Sequence, residues 1–151
     1  GVNRVVLVNA ERPSGSVENT IMTGDRVFGN RLAYIFGEPK RFDIIIFRYP
    51  DDEKQLFIKR IIGLPGETVE IHDGQIFIDG SKTPLKDVTT KEFMQGSFGP
   101  YTVPDNCYFV MGDNRNNSKD SRYWEHTFVT DDEIVGKAFL RYWPLNKIKF
   151  L

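Results

Sequence analysis

Two alternating runs, Thr68-Val69-Glu70-Ile71-His72 and Gln75-Ile76-Phe77-Ile78-Asp79, flank the dipeptide Asp73-Gly74. Both positions of a tight two-residue hairpin need left-handed backbone, which Asp and Gly tolerate, so this pattern predicts a β-hairpin more firmly than any other in the chain. The surrounding sequence agrees. Val5 to Val8 is a β-branched run, and Asp25 to Phe28 reads as a second strand. Asp43 to Arg48 is continuously apolar at its centre and bounded by Pro39 and Pro50. Gln55 to Ile62 reads as its hairpin partner across the acidic turn 50–54. Cys107 to Met111 is another apolar run, and Ile134 to Trp143 forms a last strand before Pro144. No segment carries sustained helical periodicity and no internal repeat is present. The expected class is mainly β, with at most a brief helical turn at Ser16-Val17-Glu18-Asn19.

A chain of 151 residues is long enough to bury a core as one domain. The expected core covers 1–79 and 107–151. The polar stretch 80–106, with Pro84, Pro100 and Pro104, reads as a cap-like excursion. A formal net charge of -1 gives no support for a nucleic-acid partner or for an anionic surface held by bulk charge. The single Cys107 has no partner for an internal disulfide. Neither long apolar run, Val5 to Val8 or Ile44 to Phe47, approaches the ~20 residues of a membrane-spanning helix. The N-terminus has no signal-peptide pattern. No cofactor or metal is expected.

Lys59 stands out within this pattern. On an alternating strand it shares a face with Phe57 and Ile61, company that lysine ordinarily avoids. Desolvation among apolar side chains favours the neutral amine, the form a general base needs. The bland alternative is a side chain that snorkels to solvent. The neighbouring Arg60 is the natural comparison, a candidate for the exposed residue of the pair.

A base calls for a nucleophile. Ser16 lies in Pro13-Ser14-Gly15-Ser16, where proline fixes one backbone angle and glycine frees another. Such a turn presents a hydroxyl and leaves backbone N–H groups able to hold an oxyanion, although ordinary Ser-Gly turns look the same. Of the two histidines, His72 adjoins the Asp73-Gly74 turn and His126 follows Trp124-Glu125, so both read as surface residues. A histidine triad is thereby disfavoured. Neither a Gly-x-Ser-x-Gly elbow nor a Ser-x-x-Lys pattern occurs. A lysine distant in sequence is the remaining base.

A third block, Gly112 to Trp124, is dense in Asp, Asn, Arg and Ser. It reads either as a solvated loop or as a self-satisfied hydrogen-bond network, in which Asp120 and Arg122 pair and Ser118 orients an amine.

These three blocks together resemble the bacterial type I signal peptidases. The residues that carry the resemblance are Pro13-Ser14-Gly15-Ser16, Gly24-Asp25, Phe57 to Glu67, and Gly112-Asp113-Asn114-Arg115-x-Asn117-Ser118-x-Asp120-Ser121-Arg122. They occur in that family's order and span nearly the whole chain. The resemblance implies antiparallel coiled sheets with a smaller, variable second region. It implies Ser16 as nucleophile and Lys59 as general base. Ser14 and the Ser16 N–H would form the oxyanion hole, and Ser118 would hold the base. Asp120, Arg122, Asp113 and Arg115 would support the site.

By the same resemblance the substrate is the signal peptide of an exported preprotein, cut after an Ala-x-Ala-like site. It would lie extended along strand edges near Ser14 to Ser16 and Phe57 to Lys59. Arg12, Pro13, Val17, Ile21, Phe57 and Ile58 would line or flank its pockets. Three positions depart from the family pattern: Arg12 replaces an apolar residue, Val17 a methionine and Asn19 a proline. They leave the Ser-Lys chemistry intact and bear on pocket shape. Family members carry membrane helices ahead of the first strand, so this sequence is expected to be a catalytic ectodomain on the extracytoplasmic side of the cytoplasmic membrane. Two alternatives compete: a self-cleaving repressor-type Ser/Lys protease, and a non-catalytic homologue that binds signal peptides.

Overall fold

The computed structural model describes residues 5–10, 25–35, 37–87, 90, 93–143 and 149–150. Strands β1 (Val5–Ala10), β2 (Asp25–Asn30), β3 (Ile44–Tyr49) and β4 (Asp52–Gly63) come first. They are followed by β5 (Thr68–His72), β6 (Gln75–Ile78), β7 (Phe98–Thr102) and β8 (Cys107–Met111). The short β9 (Val129–Thr130), the long β10 (Ile134–Trp143) and β11 (Lys149–Phe150) complete the set. Among the described residues helix is limited to two 3-10 turns, Arg115–Asn117 and Asp131–Glu133. None of the described helices is long and apolar enough to cross a membrane. The mainly β expectation holds, with all pairings among the described residues antiparallel.

Among the described residues the larger sheet runs β1-β2-β10-β3-β4-β8-β9, with β11 paired to β10, and the smaller runs β6-β5-β7. The β3–β4 hairpin closes more tightly than expected. Tyr49 pairs with Asp52, so the acidic residues after Pro50-Asp51 belong to a projecting strand end rather than to a long turn.

β4 and β8 separate two apolar cores. Ile45, Phe47, Ile61, Tyr108, Val110, Trp124 and Val129 form one. Ile62, Val69, Ile71, Ile76, Met94, Val103, Phe109 and Met111 form the other. Adjacent residues such as Ile61 and Ile62 therefore bury on opposite faces. A strand covered on both sides reads as a continuous apolar run, which explains why β3 and the end of β4 lack alternation.

The smaller sheet grows from the predicted hairpin. Asp73 and Gly74 both take positive φ, 48° and 80°. Gly74 is also required for space, because a Cβ there would lie 1.8 Å from the carbonyl oxygen of Met94. Its N–H donates to Gly96 O at 2.9 Å, docking the following segment on the turn. The expectation that 80–106 stands apart from the core differs from the structure. β7 lies within that stretch and pairs with β5. Met94 and Val103 are buried in the second core. Polar composition hid these few apolar anchors.

The junction between the sheets is a tight turn at Leu64-Pro65-Gly66-Glu67, closed by Glu67 N–H donating to Leu64 O at 3.1 Å. A Glu67 carboxylate oxygen also accepts from Leu64 N–H at 2.7 Å, and the carboxylate takes a bidentate pair from Arg41. Gly63, just before the turn, has no room for a side chain. A Cβ there would lie 2.7 Å from Val69 Cγ2 and 2.9 Å from Phe109 Cβ.

Candidate active site

Lys59 sits opposite Ile45 on β3 and is completely buried. Alternation along β4 puts it on the face shared by Phe57 and Ile61, both part of the first core. Its Nζ lies 5.6 Å from the Phe57 ring centroid and donates to Ser118 Oγ at 3.3 Å. The side chain does not snorkel out. Burial is the main influence on its ionisation and pushes the amine down to about 7, with Arg122 adding to the fall and the Asp120 carboxylate opposing it. At neutral pH a substantial fraction of Lys59 is therefore the free amine.

The aromatic floor beneath this amine is well packed. Tyr49 stacks on Phe57 with centroids 4.2 Å apart and planes 6° from parallel. Trp124 meets both rings edge-on. Phe57 is half-buried, while Ile58 is buried on the other face of the strand. β8 pairs with β4 only at Arg60, Ile61 and Gly63. Among the described residues the same edge of β4 from Asp52 to Ile58 has no strand partner.

The block from Gly112 to Trp124 is not a solvated loop. Asp113, Arg115, Ser118, Asp120, Ser121 and Arg122 are all buried. Ser121 anchors the loop to β8, its hydroxyl accepting from Val110 N–H at 2.9 Å and its own N–H donating to Val110 O at 3.2 Å. The Asp120 carboxylate accepts from Arg122 Nε and Nη2, each at 2.9 Å, and from the N–H groups of Gly112 and Arg122. Arg122 Nη2 also donates to Arg115 O at 2.7 Å. Its guanidinium carbon lies 5.3 Å from the Phe98 ring and 5.2 Å from the Tyr123 ring. The predicted Asp120–Arg122 pair is thus present, and Ser118 is held within reach of the lysine.

One expectation is corrected. Arg60 is not the exposed member of its pair. Its Nε and Nη2 form a bidentate pair with Asp113 at 2.8 and 2.7 Å, and its Nη1 donates to Phe42 O at 2.9 Å. Alternation sends Arg60 to the face opposite Lys59, and there the buried Asp113 carboxylate retains it. Both histidines are exposed as expected: the His72 side chain is paired with Glu70 and that of His126 with Asp51.

Among the described residues no cluster of His, Cys, Asp and Glu fits a metal ion. Arg12, Pro13, Ser14, Ser16, Val17 and Ile21 lie outside the described residues. So does the brief turn expected at 16–19.

The model of the signal peptidase family, peptidase S26, matches residues 2–143. The chain belongs to the signal peptidase family. It is 38% identical over 144 residues to a probable signal peptidase I-2 of Synechocystis, covering 92% of this chain and 64% of that protein. It is 39% identical to a signal peptidase I of Leptolyngbya laminosa, covering 90% of this chain and 68% of that one. The chain thus spans about two thirds of the length of these relatives. A crystal structure of a signal peptidase I from Enterococcus faecalis V583 aligns with a TM-score of 0.55 at 38% identity, covering 66% of this chain and 96% of that one.

Within this signal-peptidase chain the structure adds residues that the sequence did not single out. Asp87 pairs with Arg115 through Nη1. Asn116 accepts from Gln95 N–H and donates to Phe93 O, both at 2.8 Å. Phe98 covers Arg122. All four contacts join the 80–106 stretch to the loop carrying Ser118. Sequence spacing held no signal for them, because each links positions 20 or more residues apart.

Proposed function

We propose that this chain is a serine endopeptidase that removes signal peptides from exported preproteins, with Ser16 as nucleophile and Lys59 as general base. The observation that carries this reading is the fully buried Lys59, its amine pushed down to about 7 and held at 3.3 Å from Ser118 Oγ. A lysine in that state takes a proton from a hydroxyl at neutral pH without help from histidine.

The chemistry follows in two halves. Ser16 Oγ attacks the scissile carbonyl carbon while its proton passes to the Lys59 amine. The carbonyl oxygen becomes an oxyanion held by the Ser16 N–H and the Ser14 hydroxyl. The carbon–nitrogen bond then breaks, and the Lys59 ammonium returns its proton to the leaving amine. Water hydrolyses the resulting Ser16 ester with Lys59 again as base. No metal or redox partner is needed for the balance.

Among the described residues the edge of β4 from Asp52 to Ile58 has no strand partner, which supports an extended substrate that adds its backbone to the sheet. The family resemblance assigns Phe57, Ile58, Ile21 and Val17 to the substrate pockets, and shallow pockets would favour the small side chains of an Ala-x-Ala site, since a methyl fills them and larger groups clash. Substrates of this kind place the active domain on the extracytoplasmic side of the bacterial cytoplasmic membrane. Cleavage of an Ala-x-Ala peptide by the unaltered chain, and its loss in both Ser16→Ala and Lys59→Ala, is the test. Full cleavage by Lys59→Ala would contradict the dyad. An unaltered chain that binds the peptide without cutting it would leave a non-catalytic homologue.

A further inference from the structure

Three arginine–aspartate pairs sit largely out of solvent around β4 and the loop 112–124: Arg60–Asp113, Arg122–Asp120 and Arg115–Asp87. Two of the three aspartates belong to the loop itself. The third comes from the stretch that the sequence presented as a polar cap.

Asp87 is brought there by the fold. Leu85, packed against the second core, donates its N–H to Ile76 O at 2.6 Å and so fastens the segment alongside β6. Two residues later the Asp87 side chain, only 9% exposed, meets an Arg115 side chain that is 1% exposed. Arg115 Nε donates to Gly112 O at 2.8 Å, at the start of the loop, and Arg115 O accepts from Arg122. Arg122 in turn holds Asp120, two residues beyond Ser118. The contacts form one connected path from Asp87 to Asp120, two residues along the chain from the Ser118 that touches Lys59.

We infer that Asp87 is a positioning residue for the base: through Arg115 and Arg122 it fixes the loop that presents Ser118, and its carboxylate offsets the Arg115 charge on that loop. The cap is then an electrostatic part of the active site. This inference deepens the Ser/Lys reading and rests on it for its functional meaning, but its physical content concerns the ionisation of Lys59 alone.

Among the described residues, the charged groups that act on Lys59 are Asp120 and Arg122, both on the loop. β3 presents the apolar Ile45, and β8 contributes Val110 to the same apolar core. Arg60 on β4 and Asp113 pair on the other face. Against this background a change of one charge at Arg115–Asp87 has a defined sign. Removing the Asp87 charge leaves more net positive charge near Lys59 and favours the neutral amine. Removing the Arg115 charge does the opposite.

The experiment is an NMR titration of the Lys59 amine in lysine-labelled protein, which reads ionisation whether or not peptide is cut. Asp87→Asn should lower the midpoint by roughly half a pH unit or more, as expected for one poorly screened charge. Arg115→Gln should raise it by a similar amount, and the double variant should return it close to the starting value. The opposite signs keep the test decisive if one single variant fails to fold, since the other and the double still read the coupling. A midpoint unchanged in the folded variants, or displaced the same way in all three, would overturn the inference and leave Asp87 as a fold-holding residue. A normal midpoint shift in a chain that cuts no peptide would instead sink the peptidase reading and leave the coupling standing.

Discussion

Lys59 Nζ reaches Ser118 Oγ across 59 residues of sequence, at 3.3 Å in a fully buried setting. A strand fixes the lysine and a self-bonded loop fixes the serine, so neither partner depends on solvent-exposed backbone.

Ser118→Ala removes that contact without unpairing a buried charge. It should lower kcat for an Ala-x-Ala peptide by roughly ten- to a hundredfold, with a smaller change in KM, because misplacing a reacting group is costly even when binding persists. Steady-state kinetics on the folded variant measures this. A rate equal to that of the unaltered chain would remove Ser118 from the base's support.

Lys59 also marks the stability curve. Its folded-state value falls from 10.5 to about 7, so between those limits the unfolded chain binds a proton that the folded chain does not. Stability from this group therefore rises with pH across that window, by up to about 1.4 kcal/mol per unit, and is flat below it. Lys59→Met should abolish cleavage, be more stable than the parent at pH 6, and lose this slope. Urea titrations at several pH values would show it, and parallel curves for the two proteins would contradict the assignment.

Arg60→Met would take the bidentate guanidinium away from Asp113, whose side chain is fully buried. Removing one partner of such a pair typically costs about 3–5 kcal/mol. Arg60→Lys should rescue only part of the loss, because an ammonium cannot supply the two parallel donors to Asp113 together with the bond to Phe42 O. The midpoint of chemical denaturation is the measurement, and an unshifted midpoint in Arg60→Met would show the pair to be dispensable.

Gly63→Ala tests the junction of the two sheets. Its added methyl would crowd Val69 and Phe109, side chains that are completely buried. Overpacking of this kind costs about 1–3 kcal/mol. Thermal unfolding should show the loss, and an unchanged transition would mean that the sheets can part without strain.

Much of this architecture was legible in the sequence, for physical reasons that differ by element. The Asp73-Gly74 hairpin could be read because only a few residues tolerate its backbone angles. Lys59 could be read because alternation fixes which neighbours share its face. β7 was hidden by Gly99-Pro100, since proline and glycine both argue against a strand interior. Arg60 was misjudged because its partner Asp113 lies 53 residues away, and no local pattern announces that pairing. Asp87 escaped for the same reason: in sequence it is one more charge in a polar stretch, and only the docking of Leu85 on β6 gives it a role.

The central claim is that a neutral Lys59, not a histidine, drives cleavage. The most direct measurement is the pH dependence of kcat/KM for an Ala-x-Ala peptide, in the unaltered chain and in His72→Ala and His126→Ala. A single rise centred near pH 7, the value to which burial pushes Lys59, is expected, identical in all three proteins. A rise that disappears when either histidine is replaced would contradict it.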